Sequence, residues 1–149
     1  MQSRFAFIIM SLLIGAILPI QAIINARLSK LVNGPIVAAF ISFAVGTIAL
    51  FLYLLVSRQF HLTEISIRQS PWWIWTGGLL GTFFVAGIVI LVPRLGVALA
   101  FSLVIAGQMV AALIFDHFGL MGVSIREISW GRIAGAILLV AGVLLIRKT

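Results

Sequence analysis

Gln21 and Asn25 stand four positions apart in the run PIQAIINARL, residues 19–28, inside a stretch that is otherwise apolar. On a helix that spacing places both amides on one face, with Ser11, Gly15, Ala22 and Ser29 near the same stripe. A side-chain amide offers two donors and an acceptor without charge. Two uses of such a face stay open: hydrogen bonds to a neighbouring helix, or a cavity that holds water and a neutral or zwitterionic solute. Pro19 adds a backbone perturbation, because it removes a hydrogen bond and crowds the carbonyl of Gly15, so a kink or loosened turn is expected there. Gln108 is a second deep amide, in the middle of a later apolar segment, with Ser102 nearby; Ser42, Thr47 and Thr82 supply hydroxyls on other segments. Gln21, Asn25, Gln108, Ser42 and Ser11 are therefore the candidate lining of a substrate cavity. None of them suits proton coupling.

Charged candidates are few. Asp116, in FDHFGLMG, is the acid nearest a span, and a carboxylate at a helix C-terminus is disfavoured by the macrodipole. It calls for a cation: Arg132 of the same chain, or Arg27 of a second, oppositely oriented copy. Alternatively Asp116 is a solvated end residue with Gly119 as the helix cap. No catalytic residue emerges, since there is no nucleophile with a base, no phosphate loop and no metal-ligand cluster. With no cysteine and two isolated histidines, neither redox chemistry nor a metal or other cofactor is expected.

The elements that must position these residues follow from composition. Of 149 residues 63% are hydrophobic and only 9% charged, against roughly 25% charged in ordinary soluble domains. Mean hydropathy is +1.29. Apolar runs between polar punctuation predict an all-α integral membrane protein with five spans at about 5–28, 35–56, 72–92, 96–116 and 128–146. Four spans plus a peripheral helix is the alternative. The whole of 1–149 is expected to be a single transmembrane helical domain. Ile20, three positions before Ala22, is too bulky for a small-x-small cleavage site, so the first segment reads as a retained helix rather than a leader. Trp72, Trp73 and Trp75 open the third segment and Trp130 the fifth, as interfacial anchors do.

The net charge of +7 comes from residues dispersed singly or in pairs, which excludes a nucleic-acid surface. Sorted by membrane side, Arg4, Arg58, Arg68, Arg126 and Arg132 face one way and Arg27, Lys30, Arg94, Arg147 and Lys148 the other. The balance leaves orientation weakly specified by the positive-inside rule. Either the chain inserts both ways and pairs with itself antiparallel, or another feature or a partner chain sets its direction. Small residues offer close-packing faces: Ala38, Ser42 and Gly46 on the second helix, Gly77 and Gly81 on the third, Gly131 and Gly135 on the fifth. Gly135 and Gly142 lie seven apart and form a candidate dimer seam, with packing inside one chain as the alternative.

Taken together, GAILPIQAIINARL, NGPIVAAFISFAVGT and VPRLGVALAFSLVIAGQMVAALIFDHFG, followed by a glycine-spaced last helix, resemble the YdcZ family of the drug/metabolite transporter superfamily over nearly the whole chain. The resemblance implies a five-helix bundle in the bacterial inner (plasma) membrane, found as single chains, paired homologues or fused halves, and labelled an exporter. The small multidrug exporters are similar in architecture, with an antiparallel dimer and a glycine-spaced last helix. Their first helix carries an embedded glutamate; this one has Gln21 and Asn25, so proton-coupled efflux of aromatic cations does not transfer. The expectation is a transporter of a small polar or metabolite-like solute, an antiparallel homodimer or a pair with a homologous chain. Its central cavity would be lined by Gln21, Asn25 and Gln108. The alternative is a non-transporting membrane assembly or scaffold subunit whose amides only join helices.

Overall fold

The computed structural model describes residues 2–58 and 70–148; Arg68 of the charge tally lies outside them. Among the described residues, five helical segments are long and apolar enough to cross a membrane. They are α1 (Gln2–Leu31), α2 (Pro35–Ser57), a 3-10 turn (Trp72–Thr76) leading into α3 (Gly77–Leu95), α4 (Val97–Phe118) and α5 (Trp130–Lys148). The described residues hold no strand. The chain divides into two compact units, Met1–Arg94 and Leu95–Thr149.

Several helix boundaries differ from the sequence reading by a few residues. α1 runs on to Leu31, because Arg27, Ser29 and Lys30 are compatible with a helix that emerges from the apolar layer. It is α-helical through Pro19, which costs only the bond to the Gly15 carbonyl when the turns on either side hold. α3 likewise passes Pro93 and ends at Leu95, not at Val92. α5 begins at Trp130 rather than 128, because Ser129 is its N-cap: the Ser129 hydroxyl accepts the Arg132 N–H at 3.4 Å and the Ser129 carbonyl accepts from Ile133 at 3.0 Å.

In the Met1–Arg94 unit, α1 packs along α2. The connection is short: the Gly34 N–H donates to the Ser29 carbonyl at 2.9 Å, Asn33 takes a left-handed φ of 57°, and Pro35 starts α2 where a missing N–H is harmless. The seam is made of small residues, with Ala22, Asn25 and Ala26 buried on α1 and Ala38 and Ala39 on α2. Alanine lets helix backbones approach closely where lipid supplies no hydrophobic drive. On α3, Ile88, Val89 and Val92 are buried. Gly81 accommodates the Phe43 ring of α2, since a Cβ there would stand 3.6 Å from it, an ordinary contact.

In the Leu95–Thr149 unit, α4 packs against α5. α4 ends at Gly119, whose φ of 60° is the left-handed cap conformation, its N–H returning to the Phe115 carbonyl. The cap is also sterically reserved for glycine, because a Cβ would lie 2.7 Å from Ile125 Cγ1.

Candidate functional site

Asn25 sits at the α1–α2 seam with only 4% of its surface exposed. Its Nδ2 donates to Ser42 Oγ at 3.2 Å, an interhelical bond that satisfies a buried amide at membrane depth. Ser42 also lines a cleft of 210 Å³ together with Gln21, Phe43, Gly46, Thr47 and Leu50. Asn25 is not among the lining residues and reaches the cleft only through Ser42. The α2 contributors fall at 42, 43, 46, 47 and 50, the repeat of one helix face, and Gln21 comes from the facing helix α1.

Several serine and threonine hydroxyls among the described residues of this unit bond within their own helices. Ser11 donates to the Phe7 carbonyl, Ser29 to Ala26, Ser57 to Leu54, Thr76 to Trp73 and Thr82 to Gly78. Those protons are spent on their own helices. Ser42 and Thr47, which both line the cleft, have no such acceptor among the described residues, and neither does the Gln21 amide have a partner there. The cleft thus presents two hydroxyl donors and a whole amide, beside an aromatic ring and a leucine, with no charged group in its wall. It can hydrogen-bond an uncharged or internally balanced solute and offers nothing to neutralise a net charge.

The remaining sequence candidates are described each within its own unit. Ser11 is exposed and bonded within α1. Gln108 is exposed on α4 with no hydrogen-bond partner among the described residues. Gly77, Gly131, Gly135 and Gly142 have open space where a Cβ would point, so no described residue of its own unit fills the small face of α5. Arg27 is exposed and has no acid partner among the described residues.

In the second unit, Arg132 Nη2 donates to Asp116 Oδ2 at 2.8 Å. Arg132 Nη1 donates to the Arg126 carbonyl at 3.0 Å, and the Arg126 N–H returns to the Asp116 carbonyl at 2.8 Å. The Ile128 N–H reaches His117 Nδ1 at 3.4 Å. Asp116 therefore ties the 119–129 connection to the ends of both α4 and α5, and Arg132 offsets the carboxylate at the negative end of α4. An apolar groove of 280 Å³ runs from this pair between Met109, Leu113, Gly135 and Leu139.

Sequence reasoning singled out Gln21 and Ser42 but missed Phe43 and Leu50. The available signal was their spacing with Gly46 and Thr47 on α2. It also missed His117 and Ser129; Ser129 three residues before Arg132 was a capping signal that hydropathy outweighed.

Among the described residues, five apolar helices of spanning length with the charged side chains near the helix ends define a multi-pass integral membrane protein. The chain belongs to the family described as "Putative inner membrane exporter, YdcZ", which matches residues 6–145. It is 32% identical over 138 residues to the Inner membrane protein YdcZ of Escherichia coli (strain K12), a similarity covering 90% of this chain and 89% of that protein. No solved structure matches the chain.

Proposed function

We propose that this chain exports a small neutral or zwitterionic solute across the inner membrane, as one subunit of an antiparallel dimer that alternates between two equivalent packings. The observation that carries the reading is the cleft of Gln21, Ser42 and Thr47, where the Gln21 amide and the hydroxyl protons of Ser42 and Thr47 have no partner among the described residues while neighbouring hydroxyls are satisfied by their own helices. Leaving such groups against hydrocarbon costs several kcal/mol, roughly, so they call for water and solute. Gln108 supports the dimer: an exposed amide in a span, with no hydrogen-bond partner among the described residues, is better covered by a second copy than by lipid. The weak orientation signal of the loops is compatible with such a pair.

The test is flux in proteoliposomes against a panel of labelled neutral, zwitterionic, anionic and cationic metabolites. Gln21→Ala and Thr47→Val should each lower flux of the transported solute about tenfold or more while the purified protein keeps its oligomeric state. Parental flux in both variants would remove the cleft from the pathway. The Asn25–Ser42 bond favours a second reading, in which the amides only hold helices and the chain is an assembly subunit. In that case no solute on the panel moves, and Gln21→Ala disrupts the assembly instead.

A further inference from the structure

The ion pair of Asp116 and Arg132 neutralises one cation of the second unit, but the first unit treats its cations differently. α1 descends to one membrane face and ends with Arg27 and Lys30; α2 leaves that face and α3 returns to it, ending with Arg94. All three are exposed, and none has an acid partner among the described residues. One end of the unit therefore carries three unneutralised positive charges at the ends of spanning helices.

Arg94 also borders a built recess. A cleft of 230 Å³ is lined by Ser29, Pro35, Val89, Ile90, Pro93 and Arg94. The guanidinium is held beside it by Nη1, which donates back to the Ile90 carbonyl at 3.2 Å, leaving Nε and Nη2 to donate elsewhere. Ser29 spends its proton on the Ala26 carbonyl, so the strongest donor in the cleft is the guanidinium. The rest of the wall is apolar, and the exposed Leu31 and Ile36 stand at the same end. A fork of N–H donors above an apolar wall, with two further cations at the same end of the unit, matches a phosphate that arrives attached to an acyl chain.

We propose that the face formed by the ends of α1 and α3 binds the phosphate of an anionic phospholipid headgroup, with Arg94 as the hydrogen-bonding cation and Arg27 and Lys30 as electrostatic support. The assignment is independent of the solute pathway, because none of these residues lines the Gln21 cleft.

Native mass spectrometry of the full chain with equal amounts of palmitoyl-oleoyl phosphatidylglycerol and phosphatidylcholine tests it. The parent should retain phosphatidylglycerol at least tenfold over phosphatidylcholine. A juxtamembrane cation contributes about fivefold, so Arg94→Gln should lower phosphatidylglycerol retention about fivefold or more. The triple Arg27→Gln, Lys30→Gln, Arg94→Gln variant should fall to the phosphatidylcholine level. Arg94→Lys keeps the charge and should retain most of the preference, which separates loss of the site from loss of the fold. Arg58→Gln, at the other end of α2, should match the parent. Equal retention of the two lipids by the parent, or an undiminished preference in the triple variant, would overturn the proposal. So would displacement of phosphatidylglycerol by millimolar glycerol phosphate but not by chloride of equal ionic strength, which would make this a soluble-anion site.

Discussion

Asp116 and Arg132, sixteen positions apart, meet at 2.8 Å, with 34% of the aspartate side chain and 28% of the arginine side chain still exposed. The pair closes a connection that also holds the Arg126 carbonyl on the same guanidinium and the Arg126 N–H on the Asp116 carbonyl. Its partial exposure sets its weight: solvent screens such a pair, and its coupling is about 1 kcal/mol or less.

A double-mutant cycle measures that coupling. Asp116→Asn and Arg132→Gln should each lower stability modestly in a denaturant titration of the detergent-solubilised protein. The double variant should lose less than the sum of the singles, by about 0.5–1 kcal/mol. Strict additivity would mean that the two groups do not act together.

Asn25 and Ser42 form the buried counterpart. Asn25→Ala removes the interhelical bond, and Ser42→Ala leaves the Asn25 amide without its acceptor. Each should cost about 1 kcal/mol, because a hydrogen bond within a membrane bundle is worth about that or somewhat less. Ser42→Ala should additionally lower flux, since Ser42 alone of the two lines the cleft.

Gly119→Ala tests the cap of α4. A left-handed φ of 60° and a contact of 2.7 Å with Ile125 must both be relieved. A loss of about 1–3 kcal/mol is expected. Gly135→Ala meets open space and should leave the stability of an isolated subunit nearly unchanged. If it weakens self-association in a dilution series, the glycine face of α5 is a subunit contact.

Orientation is read with single cysteines on this cysteine-free chain, one at Ser3 and, separately, one at Thr149. An antiparallel dimer of identical chains predicts that a membrane-impermeant thiol reagent labels about half the molecules from outside at each end. Labelling at one end only would mean a fixed orientation and would require an oppositely oriented partner chain.

The sequence by itself determined the class of the protein: long apolar runs with polar punctuation leave five spanning helices as the way to satisfy every backbone group in lipid. It also made Gln21, Asn25 and Ser42 conspicuous, because uncharged polar side chains at membrane depth are costly unless used. Equal spacing could not separate Gln21 from Asn25, which share a face four residues apart. The tertiary structure decided that: the alanine seam brings Ser42 within reach of Asn25, burying one amide as an interhelical bond and leaving the other in the cleft. Phe43 and Leu50 were invisible for the same reason, since an apolar residue on a membrane helix faces lipid, protein or cleft with no difference in its sequence signal. Likewise, the dipole argument asked for a cation beside Asp116 and left two candidates. The turn at Gly119 brings the start of α5 back to the end of α4, and that return places the Arg132 guanidinium on the Asp116 carboxylate.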